Sequence, residues 1–135
     1  MKILIMGLPG SGKTYLAKKL QPLINAAWYN ADMVRDMAGD WDFSEEGRKR
    51  QSERMQTFAD FEKSHGRNVI CDFVCPTETT RSIFNPDITI WLDTIEKSRF
   101  ADTNDIFEKP SSVNFHIKEW KDSTHEYIAN ELKNV

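Results

Sequence analysis

Residues 7–14 read Gly7-Leu8-Pro9-Gly10-Ser11-Gly12-Lys13-Thr14, a spacing that suits one kind of chemistry. Gly7 and Gly12, with four residues between them, let the backbone curl so that its N–H groups converge on an anion. Lys13 adds a point charge for the β- and γ-phosphates of a nucleotide, and the Thr14 hydroxyl is placed to ligate Mg²⁺. A glycine turn without a ligand would require neither the lysine nor the hydroxyl. The apolar run Lys2–Met6 enters this segment like a buried strand. Lys13 to Leu20 leaves it with helical spacing, since Leu16, Ala17 and Leu20 share a face. Strand, glycine loop and helix N-terminus together make a phosphate-binding loop, and Gly7 through Tyr15 are the expected nucleotide contacts.

Further along, Asp32 and Arg35 stand one helical turn apart and share a face. Behind a phosphate loop, such a carboxylate accepts the proton of an incoming hydroxyl or holds it in line. The arginine neutralises charge on the transferring group or on its acceptor. The plainer alternative is a helix-capping aspartate with a surface arginine. Asp72 ends the apolar run Val69-Ile70-Cys71-Asp72, where Mg²⁺ or its bound water is held in this kind of site. Asp93, which ends Ile88–Leu92, is the rival; analogy of strand order favours Asp72. The long helix from Ser44 has an apolar face of Met55, Phe58 and Ala59. Carried backwards, that face reaches Arg48 and Gln51. Arg48 either snorkels to the surface or aims at an anionic substrate. Lys49, Arg50 and Arg54 are read to the side or outwards, with Arg50 solvated.

The elements that position these residues follow from periodicity. Strands are expected at Lys2–Met6, Ala27–Tyr29, Asn68–Phe73, Ile88–Leu92 and Val113–Ile117. Helices are expected at Lys13–Leu23, Ala31–Ala38, Ser44–His65, Thr77–Ile83 and Trp120–Lys133, with Gly39 and Gly66 ending two of them. Strands alternating with helices predict a parallel sheet covered on both faces. Ligands then lie beyond the carboxyl ends of the strands, near Asn30–Arg35, Asp72–Pro76 and Asp93–Arg99. With no repeat, linker or low-complexity segment, residues 1–135 are read as one domain.

Composition narrows the partners. The 135 residues are 39% hydrophobic and 29% charged, with a net charge of −3. That balance argues against broad non-specific nucleic-acid binding, while local basic patches leave nucleic acid open. No run approaches a membrane span, and no targeting segment is expected before the first strand. Cys71 and Cys75 are the only cysteines, and free thiols in a cytoplasmic protein are expected. The scattered His65, His116 and His125 follow no zinc-ligand spacing with them.

Across roughly residues 1–110 the chain resembles the adenylylsulfate kinases (APS kinases) of the phosphate-loop kinase superfamily. Four blocks carry the resemblance in order. Gly7–Thr14 is nearly that family's own wording. Asn30–Arg35 looks like its D-G-D-N-x-R block, Phe43–Gln51 like F-S-x-x-D-R-x-x-N, and Ile70–Pro76 like I-x-x-F-I-S-P. The resemblance implies a P-loop NTPase fold: three α/β/α layers around a central, mainly parallel five-stranded sheet. It implies ATP and Mg²⁺ as cofactors, and transfer of the γ-phosphoryl group to the 3′-hydroxyl of adenylylsulfate. Lys13, Asp32 and Arg35 are the implied catalytic residues, with Thr14 at the metal; Asp72 is placed there by its strand-tip position and not by the resemblance. Phe43 and Phe73 would sandwich the acceptor base, Arg48 would bind its anionic part, and Gln51, Cys75 and Pro76 would line its site. The ATP adenine would lie near Phe107–Pro110.

The chain also departs from the family's pattern. Gly47 replaces an acid, Gln51 an asparagine and Cys75 a serine, and Asp72 stands where the family has a small residue. The basic lid is reduced, at about 95–110, leaving Lys97 and Arg99, of which Arg99 is the expected ATP contact. Small-molecule nucleotides are the expected partners, and a homodimer is compatible with the resemblance. Two alternatives stand beside it: a polynucleotide, nucleoside or other metabolite kinase, and a nucleotide-binding protein without efficient turnover.

Overall fold

Lys2–Met6 forms β1, and all five of its residues are buried. A strand hidden on both sides must be flanked by other strands and covered on both faces. The computed structural model, which describes residues 1–134, has that arrangement. After β1 come α1 (Lys13–Leu23), β2 (Ala26–Asn30), α2 (Ala31–Ala38), α3 (Glu45–Ser64) and β3 (Asn68–Asp72). Then follow α4 (Glu78–Phe84), β4 (Ile88–Leu92), α5 (Ala101–Ile106), β5 (Phe115–Ile117) and α6 (Thr124–Leu132). The sheet order is β2-β3-β1-β4-β5 and every neighbouring pair is parallel.

Side chains alternate across the sheet and divide the core in two. Ile3 and Ile5 pack with Leu16, Leu20 and Ile128, under α1 and α6. Leu4 and Met6 pack with Val34, Met55, Ala59 and Phe84, under α2, α3 and α4. The expected three-layer α/β/α fold is therefore present, with a sheet that is wholly parallel. Cys71 and Cys75 are buried free thiols, as expected. Among the described residues, no helix is long and apolar enough to cross a membrane.

Several boundaries differ from the periodicity reading. β2 gains a residue at each end, and β3 stops at Asp72. β5 starts at Phe115, because the Asn114 side chain takes the ladder position by accepting from the Thr89 N–H at 2.8 Å. α6 starts at Thr124, leaving Trp120 outside the helix. Helix α5 lies inside the segment read as a reduced lid. Its six residues have too short an apolar period to register in the sequence, and Thr103 anchors it by accepting from Arg48 at 3.2 Å.

Arg50 corrects a further expectation: it is not simply solvated, and Arg54, read to the side or outwards, joins it in an ion-pair network. The turn after Gly39 returns Asp40 and Asp42 to the side of α3, where Arg50 Nε donates to Asp40 at 2.6 Å and Arg50 Nη2 to Asp42 at 3.2 Å. Arg54 Nη2 donates to Asp40 at 2.8 Å. Sequence separation hid these pairs, since the contact depends on how the turn folds.

Candidate functional site

β1 is the point where the chain's connections switch from one side of the sheet to the other, and the crevice there is where ligands bind in open parallel sheets. The phosphate loop fills that crevice. Ser11 N–H donates to Leu8 O at 3.1 Å, and the Lys13 ammonium donates to the same carbonyl at 3.1 Å. Gly12 sits at φ 103°, a conformation that favours glycine, and a Cβ there would lie 2.6 Å from the Trp120 ring. Trp120 Nε1 donates to Ser11 O at 3.3 Å, and the Thr94 hydroxyl donates to it at 2.8 Å. The loop is thus held from β4 and from the segment before α6. Burial pushes the Lys13 ammonium down to about 8, while Asp72 and Asp32 favour its charge.

Register builds the second part of the site. Ile5 pairs with Asp72, and Asp72 with Asn30, so the tips of β1, β3 and β2 end level. Asn30 Nδ2 donates to both Asp72 oxygens, at 3.1 and 3.3 Å, and to Thr14 Oγ1 at 3.1 Å. Trp28 Nε1 donates to Asp72 Oδ2 at 2.6 Å, and Thr14 Oγ1 lies 3.5 Å from Asp72 Oδ1. Burial raises the Asp72 carboxyl to about 6, against the stabilising bonds from Trp28 and Asn30 and the charge of Lys13. A hydroxyl and a carboxylate side by side are hard oxygen donors, the type that Mg²⁺ takes while keeping waters and phosphate oxygens in its other positions. Asp93 is engaged elsewhere, 2.9 Å from His116 Nε2, whose ring stacks on Trp91. Asp72 is therefore the carboxylate beside the loop. Among the described residues, no group of three or more His, Cys, Asp or Glu side chains converges as a metal site.

The third part is a cavity of about 740 Å³ between the loop, α2, α3 and α5. From the loop, Pro9, Gly10, Gly12, Lys13, Thr14 and Tyr15 face it; Gly7, Leu8 and Ser11 lie outside its lining. Asp32, Arg35, Phe43, Arg48, Gln51, Phe73, Cys75, Pro76 and Arg99 all line it, so the residues singled out along the sequence meet in one space. Lys97 does not line it. Asn30, not Asp32, caps α2: Asn30 Oδ1 accepts from Met33 N–H at 3.0 Å. Asp32 is left exposed to the cavity with no hydrogen-bond or ion-pair partner among the described residues.

The arginines are more committed than their spacing suggests. Arg35 is only 4% exposed, and its Nη1 donates to the carbonyls of Asp40 and Asp42 at 2.9 and 3.1 Å. Its guanidinium lies 4.3 Å from the centre of the Phe43 ring. Arg48 Nε donates to Phe43 O at 2.8 Å, and its Nη2 reaches Thr103 and Asp102. Phe43 is 47% exposed, whereas Phe73 is 7% exposed and packs edge-on against Phe84. Gln51 donates to Ala31 O and accepts from Arg54, so its amide spans α2 and α3.

The Phe107–Pro110 segment, the expected neighbour of the ATP adenine, packs beside the turn before α4. Glu108 N–H donates to Pro76 O at 2.7 Å and its carboxylate accepts from Glu78 N–H, which ties the segment to the turn before α4. The other flank of the loop is framed by Tyr15 and Trp120, whose rings meet edge-on at 5.4 Å. A smaller recess of about 410 Å³ opens there, beside Lys19, Lys121, Asp122 and His125. Trp28, Trp41 and Trp120 are candidate site residues that the sequence reading missed, and Asn30, placed near the ligand by its strand tip, was given no role there. For Trp41 and Trp120 the signal was an isolated tryptophan in a polar stretch.

Comparison with known proteins agrees with this architecture. In an alignment 88 positions long that covers 58% of its length, the chain is 33% identical to a protein of Aeropyrum pernix named probable adenylyl-sulfate kinase. The match covers 46% of that protein, so the chain matches about half the length of this curated relative. The APS kinase CysC of Mycobacterium tuberculosis, solved with AMPPNP and APS, superposes with a TM-score of 0.78 at 18% identity, over 98% of this chain and 95% of that one. Shikimate kinase from Aquifex aeolicus superposes with a TM-score of 0.65 at 20% identity, over 99% and 94% of the two chains. A gluconokinase from Sinorhizobium meliloti gives 0.67 at 12%, over 98% and 95%. At such identities the likeness is one of fold, and the fold is that of the phosphate-loop kinases. With residues 3–106 matching the AAA_18 family of AAA domains, the chain belongs to that family.

Proposed function

We propose that the protein is an ATP-dependent kinase that phosphorylates an alcohol, with adenylylsulfate as the first acceptor to test. The observation that carries this reading is the meeting of two groups in one cavity. The loop residues, Lys13 and the Thr14–Asn30–Asp72 cluster line it together with Asp32, which is exposed and has no hydrogen-bond or ion-pair partner among the described residues. In the reaction the acceptor oxygen bonds to the γ-phosphorus, the β–γ bridging P–O bond breaks, ADP leaves, and Asp32 takes the hydroxyl proton. Lys13 and the loop N–H groups hold the phosphates, where charge shifts during transfer. Mg²⁺, held by Thr14 and by Asp72 or a water bound to it, would neutralise phosphate charge. Asn30 fixes both of those side chains, and Trp28 fixes the carboxylate.

The resemblance of four sequence blocks, the Aeropyrum pernix relative and the joint placement of Phe43, Arg48 and Phe73 support adenylylsulfate over other alcohols. The fold likeness to shikimate and sugar kinases supports a small-molecule acceptor of another kind as the second reading. The test is phosphoryl transfer from labelled ATP with Mg²⁺ to adenylylsulfate, shikimate, gluconate, nucleosides and a 5′-hydroxyl oligonucleotide. Labelled 3′-phosphoadenylylsulfate is the expected product. Label on the oligonucleotide, or on shikimate or gluconate alone, would overturn adenylylsulfate. ATP binding without transfer to any acceptor would overturn the kinase reading.

A further inference from the structure

The turn between α2 and α3 is held far more firmly than a surface turn of a few residues requires. Arg35 Nη1 binds the carbonyls of Asp40 and Asp42. Arg50 grips the Asp40 carboxylate through Nε and Nη2, at 2.6 and 2.9 Å, and reaches Asp42 at 3.2 Å. Arg54 adds a bond to Asp40 at 2.8 Å. Asp42 is seated directly over Gly47, where any Cβ would collide with its carbonyl oxygen and its carboxyl carbon. A lone surface ion pair contributes little to stability, but these bonds form a bidentate network on one carboxylate, the Asp40 side chain being only 13% exposed. Such a network holds the turn in a single conformation.

That conformation presents Trp41 and Phe43. Both line the cavity, with rings 6.4 Å apart, and Trp41 is 51% exposed. Two large apolar rings half exposed on a rigid turn, with the Arg35 and Arg48 guanidinium groups over the Phe43 ring, make a recognition surface. We propose that Trp41 is an acceptor-binding residue that stacks on a planar ring of the acceptor, and that Asp40, Arg50 and Arg54 are positioning residues that hold it there. The ligand class is a nucleobase or similar flat heterocycle carrying an anionic group, the ring meeting Trp41 and Phe43 and the anion meeting Arg48. This rests on the reading of the cavity as the acceptor site. It assigns to that site a residue absent from the motif blocks, and a clamp that only the fold assembles.

Steady-state kinetics on the full chain, with adenylylsulfate as acceptor, test both parts. Trp41→Ala is expected to raise the acceptor KM about 5- to 150-fold, the range of base stacking on an aromatic side chain, and to leave the KM for ATP within about twofold. Arg50→Gln is expected to raise the same KM about 2- to 10-fold with kcat and thermal midpoint little changed, and Arg50→Lys to recover part of the loss. Tryptophan fluorescence supplies an independent signature: adenylylsulfate should quench the wild type, and Trp41→Phe should remove most of that quench. An unchanged acceptor KM in Trp41→Ala, or a quench that survives Trp41→Phe, overturns the assignment of Trp41. If Arg50→Gln lowers the thermal midpoint sharply with no change in KM, the clamp is merely structural. If wild type transfers phosphate to no acceptor offered, the proposed function itself fails and this proposal with it. Wild-type turnover with unaffected Trp41→Ala sinks this proposal alone.

Discussion

Lys13 and Asp32 line one cavity, and the proposed function gives them different work. The Lys13 ammonium touches only a backbone carbonyl of its own loop, so removing it takes nothing from the core. Lys13→Ala is expected to abolish phosphoryl transfer while leaving the far-ultraviolet circular dichroism and cooperative unfolding intact. Each charge-assisted contact to phosphate is worth about 1.5–3 kcal/mol in binding, and more as charge shifts during transfer. A folded Lys13→Ala protein with wild-type turnover would falsify the phosphate-loop assignment. For Asp32 the expected change lies in the chemical step. Asp32→Asn should lower kcat by about 10²- to 10⁴-fold, with ATP affinity from direct titration nearly unchanged. If ATP binding collapses instead, Asp32 belongs with the metal and not with the acceptor hydroxyl.

At the scale of elements, the junction of α2 and α3 is where local propensity and tertiary packing oppose each other. Glycine inside a helix is about 1 kcal/mol less favourable than alanine. Gly47 lies in the first turns of α3, so propensity alone predicts that Gly47→Ala stabilises. Packing predicts the reverse, because Asp42 occupies the space that a Cβ needs. Overpacking of this kind typically costs about 1–3 kcal/mol. Gly47→Ala is therefore expected to lower the urea unfolding midpoint with an unchanged slope, and to raise the acceptor KM by displacing Phe43. A higher midpoint would mean that the turn is free to move, and that its arginine clamps are not rigid. Phe43→Ala probes acceptor binding more cleanly than Phe73→Ala does. Phe43 is half exposed, whereas truncating Phe73 also removes core packing against Phe84.

The whole molecule gives up stability for the site. Burial raises the Asp72 carboxyl to about 6 from an ordinary value near 3.8. Between those values the folded state binds more protons than the unfolded state, so the Asp72 contribution to stability falls as pH rises through about 6. A shift of that size corresponds to about 3 kcal/mol. Asp72→Asn removes the titration. In protein free of metal and nucleotide, the stability of Asp72→Asn relative to wild type should therefore grow between pH 4 and pH 7 by roughly that amount. Urea unfolding of both proteins at the two pH values measures it, and a constant difference would show that Asp72 is ionised throughout. Lys13 sets the opposite limit. Its ammonium, pushed down to about 8, is lost above that pH in the free protein, so kcat/KM for ATP should fall on the alkaline side near 8.

Much of this molecule is legible along the chain, and the legible part is the part whose geometry is local. Eight contiguous residues dictate the phosphate loop, because glycine conformations and a helix N-terminus need no distant partner. Apolar runs of about five residues separated by helical spacing dictate a parallel sheet covered on both faces, because such runs must be buried on two sides. Asp32, Arg48 and Phe73 could be pointed towards one cleft from their places at strand tips and on a helix stripe. Partnership is what only the tertiary structure decided. Asp72 rather than Asp93 stands beside Thr14 because Asn30 reaches both, and Asn30 does so because its strand pairs in register with Asp72. Trp28 joins Asp72 through the same register, across 44 positions of sequence. Arg50 and Arg54 meet Asp40 only once the turn between α2 and α3 has closed, and Trp120 meets Gly12 only once the chain has returned across the sheet. Hydrogen bonds and ion pairs act over about 3 Å, so residues far apart in sequence acquire partners only when strand order, register and turn geometry bring them together.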